Sequence, residues 1–113
     1  MTGRASLHRW EAIELEKVTE MVTRKVIAGA HQQLIQVYLK KGALIPAHAH
    51  RGDQMIYVLQ GALRALVGGE EMTVREGEVV HIPANVVHQS EALDDTFVIE
   101  TRGIENQESR IEN

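Results

Sequence analysis

Glycines recur at short intervals along this chain, and the segments between them are rich in β-branched and aliphatic residues. Seven such segments read as strands, at residues 23–29, 33–42, 54–61, 62–70, 71–77, 78–83 and 95–103. Gly68-Gly69 is typical of a hairpin turn. Turn signals recur about every 8–12 residues, a spacing typical of a β-sandwich or β-barrel. The pattern therefore predicts an all-β fold of short strands.

The chain length of 113 residues fits a single domain. The stretch "WEAIELEKVTEM" at 10–21 allows a helix by its apolar spacing, but its β-branched residues leave a strand open. Near the other end, "IENQESRIEN" is polar and offers little to a core. We therefore predict an N-terminal extension or first strand at 1–21, a barrel at 22–102 and a polar tail at 103–113.

Composition excludes several classes of function. The net charge of −4 gives no basic surface for nucleic acid or an anionic membrane. The absence of cysteine excludes disulfides, thiolate metal ligands and a cysteine nucleophile. No apolar run approaches the roughly 20 residues that cross a bilayer, and "MTGRASLHRWEAIELE" lacks the apolar stretch of a signal peptide. We expect a cytoplasmic protein with no nucleic-acid or membrane partner.

Histidines carry the most distinctive chemistry in the sequence. His48 and His50 alternate with alanines, so in an extended segment both imidazoles point to the same side. Gln54 enters the next strand-like run, and His88 follows Pro83 on a separate segment. Inward-pointing residues of neighbouring strands converge in a small barrel, which would bring these side chains to one metal ion.

Two glycine-led spacings surround these residues. Gly42 is followed by five residues, His48, one residue, His50, three residues, Gln54, six residues and Gly61. Gly77 is followed by five residues, Pro83, four residues and His88. Both spacings resemble the two cupin motifs, G(X)5HXH(X)3–4E(X)6G and G(X)5PXG(X)2H(X)3N, over roughly residues 22–102.

The resemblance implies a single cupin barrel of jelly-roll type, often a homodimer, with one divalent metal ion. Carried over by position, the ligands are His48, His50, Gln54 and His88. Three positions depart from the motifs, where Gln54 replaces glutamate, Asn85 replaces glycine and Ala92 replaces asparagine. Asparagine tolerates the left-handed backbone conformation better than most non-glycine residues, so Asn85 is a mild change.

The departure at Gln54 changes the charge of the predicted site. A glutamate ligand would leave a divalent ion with a formal charge of about +1, whereas a neutral amide leaves about +2. Such a site favours Lewis-acid chemistry over chemistry that needs an oxidised metal, and it attracts an anionic or carbonyl ligand. Histidine and amide ligands suit Zn, Ni, Mn, Fe and Co alike.

Longer stretches are similar to the KdgF-type cupins of pectin degradation, among them "LKKGALIPAHAH", "QMIYVLQGAL" and "EALDDTFVIE". That resemblance implies conversion of 4,5-unsaturated uronates to the linear 5-keto-4-deoxyuronate. Its FSPPRE-like ending is replaced here by "IETRGIENQE". In this segment Glu100 is the candidate acid or base, and Arg102 is a candidate carboxylate clamp.

Three functions stay open at this point. The first is a redox-neutral, isomerase- or lyase-like reaction on a small anion. The second is a non-catalytic cupin that binds a small ligand, and the third is a metal-dependent dioxygenase. Alternation places His81 and Tyr57 on the outer face of their strands, where Tyr57 is a candidate dimer contact.

Overall fold

The computed structural model describes residues 3–104 and shows an almost entirely β-stranded chain. Its elements are a short 3-10 helix at Trp10–Ala12 and strands β1 Glu16–Thr19, β2 Val22–Ala28, β3 Gln32–Leu39, β4 Leu44–His48, β5 Gln54–Gln60, β6 Ala62–Val67, β7 Glu70–Arg75, β8 Val79–Ile82, β9 His88–Ala92 and β10 Thr96–Gly103. The all-β prediction is confirmed.

The strands form two antiparallel sheets. One has six strands in the order β1-β2-β3-β10-β5-β8, and the other has four in the order β4-β9-β6-β7. Buried residues of both sheets make one core, with Ile35, Val58 and Val98 from the six-stranded sheet and Leu63 and Ala65 from the other. This arrangement is the predicted jelly-roll barrel.

Alternation along the strands decides which side chains enter the barrel. On β5, Gln54, Ile56 and Val58 are buried, whereas Met55 and Tyr57 between them are exposed. Burying a valine or isoleucine side chain contributes about 1.5–3 kcal/mol. The period of two therefore fixes the register of β5, because a slip by one residue would expose its apolar set and remove Gln54 from the interior.

Sequence patterns located seven of the ten strands between residues 3 and 104, left β1 open as a helix or a strand, and missed β4 and β9. Strand β4 contains Pro46, and β9 reads "HQSEA" without β-branched residues. In β4 and β9 tertiary pairing decides the structure, because β9 lies between β4 and β6. The predicted turns at Gly61, Gly68-Gly69 and Gly77 all have positive φ angles.

Both predicted domain boundaries fall near strand ends. Strand β1 pairs with β2 at the edge of the six-stranded sheet, so part of the predicted extension belongs to the same sheet. Strand β10 ends at Gly103, and residues 105–113 of the predicted tail lie outside the described residues. Within 3–104, no helix has the length and apolar character to cross a membrane.

The outer face of the six-stranded sheet carries exposed apolar side chains. They include Leu34, Tyr38, Met55, Tyr57 and Val79. Tyr57 lies on this face as its alternation predicts, and His81 is exposed on β8 with its Nε2 atom 3.2 Å from the Asp53 carboxylate. The homodimer stays a prediction, and this face is the surface that offers it apolar contacts.

Candidate metal centre

The three histidines of the predicted ligand set come together at one end of the barrel. His48 ends β4 and is paired in register with His88, which begins β9. His50 lies in the loop that follows β4. Their candidate ligand atoms all lie within 4.8 Å of one another, so the predicted convergence of two separate segments is confirmed.

Each imidazole is oriented by a main-chain carbonyl group. The Nδ1 atoms of His48, His50 and His88 lie 2.9 Å from the carbonyl oxygens of Pro46, Gly52 and Val86, respectively. A carbonyl oxygen only accepts, so in each neutral ring Nδ1 carries the proton and donates it. The Nε2 atoms therefore keep free lone pairs, which is the tautomer that metal-binding histidines use.

The environment of His88 supplies a test of whether a metal ion fits. Its Nε2 atom is buried and has no hydrogen-bond partner within the described part of the chain. Buried polar atoms in folded proteins are nearly always paired. Burial also lowers the pKa of His88, which keeps the ring neutral. A bound divalent cation would satisfy this lone pair, so the residues present fit the metal that the motif implies.

Gln54 faces the same point from β5. Its side-chain Nε2 donates to Glu100 Oε1 at 2.7 Å, which turns the amide oxygen toward His50. That oxygen lies 3.1 Å from His50 Nε2. Because both atoms are acceptors in the tautomer described above, two lone pairs face each other without a proton between them. The structure thus places Gln54 with the three histidines, and its bond to a metal stays a prediction.

Glu100 lies beside Gln54 on the inward face of β10. Burial raises the pKa of Glu100 above the ordinary carboxyl value, while the Gln54 amide and the cations Arg102 and Arg24 act in the opposite direction. Carboxyl groups with raised pKa values in a cleft are suited to proton transfer at neutral pH. Its predicted role as acid or base therefore has a matching environment.

A cavity of about 180 Å³ opens between the sheets beside these groups. Its walls are largely apolar, with Ile35, Val37, Ile56, Leu63 and Val98 among them. The polar side chains that line it are Arg24, His48, Gln54, His88, Ser90, Glu100 and Arg102. Since pockets for drug-sized ligands measure roughly 300–1,000 Å³, this cavity suits a smaller molecule.

The cavity contains one predicted cation and one that sequence reasoning missed. The candidate carboxylate clamp Arg102 lines the cavity, with its guanidinium 3.4 Å from Gln33 Oε1. Arg24 was not singled out, although it alternates with Val22 and Val26 on β2. A charged residue on an otherwise apolar face is the signal that could have identified it.

The loop between His50 and Gln54 is held against the end of β10. Gly103 donates its backbone N–H to the Asp53 carbonyl at 2.9 Å, and a Cβ atom at Gly52 would overlap the Gly103 carbonyl group. The Gly52 carbonyl also accepts the His50 Nδ1 proton. Glycine is thus required at position 52, where the backbone of the loop between His50 and Gln54 contacts the end of β10.

Replacing Gly52 with alanine should weaken metal binding about tenfold, because the carbonyl that orients His50 must move. Isothermal titration calorimetry with Zn²⁺ measures this loss. Gly29→Ala is the matched control, because a Cβ there meets its nearest neighbour at an ordinary 3.4 Å. Unchanged Zn²⁺ affinity in Gly52→Ala would contradict the orienting role of the loop.

Comparison of the sequence with known protein families identifies the family to which this chain belongs. Residues 35–99, more than half of the chain, match the family described as Cupin domain. This chain belongs to the cupin family. The motif glycines Gly42, Gly61 and Gly77 all have positive φ angles in this chain. Asn85, which stands where the second motif has glycine, also has a positive φ angle, of 68°. The Asn85 N–H donates to the His50 carbonyl at 2.7 Å, which joins the two motifs.

Solved structures show how closely this cupin follows its relatives. KdgF from Halomonas sp. superposes with a TM-score of 0.83 at 25% identity, over 94% of this chain and 99% of that one. An RmlC-like cupin from Shewanella frigidimarina gives 0.83 at 22% identity, over 96% and 99%. The predicted resemblance to KdgF is confirmed.

A more distant cupin shows the same fold in a larger protein. Salicylate 1,2-dioxygenase from Pseudoaminobacter salicylatoxidans matches 77% of this chain and 26% of its own, with a TM-score of 0.72 at 14% identity. No curated protein sequence matches the chain. The same fold thus occurs in KdgF and in a dioxygenase. The fold alone does not identify the reaction, which has to be inferred from the residues of the site.

Proposed function

We propose that this cupin holds a divalent metal ion with His48, His50, Gln54 and His88 and isomerises a small sugar acid without redox change. The substrate class is a 4,5-unsaturated uronate, which the enzyme opens to the linear 5-keto-4-deoxyuronate. Support comes from the shape of the site and from the similarity to Halomonas KdgF.

The observation that carries the proposal is the position of Gln54 between His50 and Glu100. One end of its amide lies 3.1 Å from a histidine Nε2, and the other donates to a carboxylate at 2.7 Å. The neutral amide oxygen proposed as a ligand thus lies next to a carboxyl group whose pKa is raised by burial. With a divalent ion bound, this combination would supply a positive centre and a proton carrier in the same cavity.

The proposed isomerisation moves one proton and breaks one ring bond. The bond between C1 and the ring oxygen breaks as the C1 hydroxyl loses its proton, which leaves an aldehyde at C1. The ring oxygen becomes the 5-keto oxygen, and C4 gains a proton, so atoms balance without an oxidant. Glu100 would remove the first proton and return one to C4. A divalent ion would supply Lewis-acid polarisation of a substrate oxygen.

Arg102 would hold the carboxylate of the uronate. It lines the cavity together with Glu100, which lies two residues earlier on the same face of β10. Its guanidinium makes a long 3.4 Å contact with Gln33, which leaves other donors for a substrate. Planar guanidinium groups bind carboxylates through two parallel hydrogen bonds, which would set the orientation of the sugar ring.

The test offers an unsaturated uronate to the purified protein with each candidate divalent metal in turn. We expect metal-dependent loss of the conjugated ultraviolet absorbance. In Glu100→Gln the rate should fall about a hundredfold or more with metal content retained, because proton transfer is lost. No metal-dependent loss would refute the uronate reaction. Binding without turnover would support the non-catalytic alternative, and oxygen uptake with Fe would support a dioxygenase.

A further inference from the structure

Strand β2 places an arginine on the inner face of the barrel. Arg24 is paired in register with Val37, which is paired in turn with Val98. Residues paired directly across antiparallel strands share a face of the sheet. Val37 and Val98 are both buried, so Arg24 belongs to an otherwise apolar inward row. It reaches the cavity, which it lines together with Glu100 and Arg102.

The Arg24 guanidinium forms an ion pair with Glu16, a carboxylate on the edge strand β1. Glu16 on β1 accepts hydrogen bonds from Arg24 Nε at 2.9 Å and from Arg24 Nη2 at 3.3 Å. The Arg24 side chain is one-third exposed, and that of Glu16 is about half exposed. Arg24 lowers the pKa of Glu16, so the carboxylate is charged at neutral pH. The pair shows the forked geometry with which arginine recognises carboxylates.

We propose that Arg24 is a second carboxylate-binding residue of the cavity and that Glu16 is its intramolecular competitor. A compact sugar acid would place its carboxylate between Arg24 and Arg102 and its ring oxygens toward the histidines. The ligand carboxylate would replace Glu16 at Arg24. This inference rests on the proposed function for the class of ligand, and it adds a residue that selects for the acid.

Replacing Arg24 or Glu16 should have different effects if the pair only stabilises the fold than if Arg24 also binds a ligand carboxylate. If Arg24 and Glu16 only fasten β1 to β2, removing either partner has the same small effect on stability and none on ligand choice. If Glu16 competes with a ligand for Arg24, the two replacements have opposite effects on affinity. The sign of the change therefore distinguishes the two roles.

The experiment uses the full-length protein, as purified, and isothermal titration calorimetry with two probes. D-galacturonate carries the carboxylate, and its methyl ester is the neutral equivalent. Arg24→Gln is expected to weaken galacturonate binding about tenfold, and Glu16→Gln is expected to tighten it several-fold. Neither replacement should change the affinity for the ester. Arg64→Gln and Glu91→Gln are matched controls, because this pair joins β6 to β9 with a 3.1 Å contact outside the cavity.

Three results would overturn the proposal. They are unchanged galacturonate affinity in Arg24→Gln, equal changes in Arg24→Gln and Glu16→Gln, and an unaltered protein that binds the acid no better than the ester. Failure of the uronate reaction would be separate, because it appears as absent turnover in the absorbance assay. Retained turnover with unchanged galacturonate affinity in Arg24→Gln would refute the role of Arg24 and leave the uronate reaction standing.

Discussion

Replacing His88 with alanine is expected to lower the affinity for a divalent metal by about a hundredfold or more. Loss of an orienting partner alone costs about 10- to 100-fold, and loss of a ligand costs at least as much. The metal-free protein should unfold at a somewhat lower temperature, because the replacement removes the hydrogen bond that His88 Nδ1 donates to the Val86 carbonyl and leaves a space in the barrel. Elemental analysis and thermal unfolding with and without a chelator measure both effects.

His81→Ala is the matched control for His88→Ala. Its imidazole is exposed on β8 and contacts Asp53 at 3.2 Å, and it is not one of the three clustered histidines. The His81→Ala variant should keep its metal and the stabilisation that the metal provides. That stabilisation grows with the logarithm of the ratio of metal concentration to Kd. Equal metal content in His88→Ala and His81→Ala would show that the clustered nitrogens do not bind an ion.

Replacing Gln54 with glutamate should have opposite effects with and without metal. Without metal, the new carboxyl group lies against Glu100, where the amide now donates at 2.7 Å. The lost hydrogen bond and the like charges should lower the free energy of unfolding by about 2–3 kcal/mol. With metal, the added negative ligand should raise affinity about tenfold or more. Calorimetry and chemical denaturation at two metal concentrations measure the pair of effects.

The pH dependence of Gln54→Glu follows from the two carboxyl groups. Burial already raises the pKa of Glu100, and a neighbouring carboxylate raises it further. The folded state then binds more protons than the unfolded state just above the ordinary carboxyl pKa. The metal-free variant should therefore lose stability as pH rises from about 4.5 toward neutrality.

A double replacement serves as the control for Gln54→Glu. Gln54→Glu with Glu100→Gln exchanges the two side chains and restores a donor and an acceptor at the 2.7 Å contact. It should recover the metal-free stability and keep the tighter metal binding, and it should lose activity as Glu100→Gln does, because the proton carrier is gone. If the single replacement changes neither stability nor metal affinity, Gln54 neither ligates the metal nor contacts Glu100.

Much of the site was predictable because it depends on local spacing. His48 and His50 share a side through the period of an extended chain, and Gln54 faces inward because it alternates with exposed Met55 and Tyr57. The motif spacings then related His88 to them across the fold. Glu100 and Arg102 follow by the same alternation, since both lie on the inward face of β10.

Features that depend on strand pairing were not predictable from the sequence. Strand β9 is polar and exists because β4 and β6 pair with it on either side. Arg24 and Glu16 meet only because β1 pairs with β2 in a register that sets them opposite each other. The contact between Gly52 and Gly103 likewise joins residues far apart in sequence. No local pattern encodes such contacts.

The main-chain carbonyls that orient the imidazoles have a consequence for how this centre can evolve. Every amino acid brings a carbonyl group, so positions 46 and 86 can change identity without losing the acceptor that holds a histidine ring. Gly52 is the exception, because only glycine fits beside Gly103. A cluster of imidazoles oriented in this way depends on backbone shape, and backbone shape persists at low sequence identity, as the TM-score of 0.83 to a relative that shares 25% of its residues shows. The side chains of the cavity walls can then vary while the imidazole geometry stays constant.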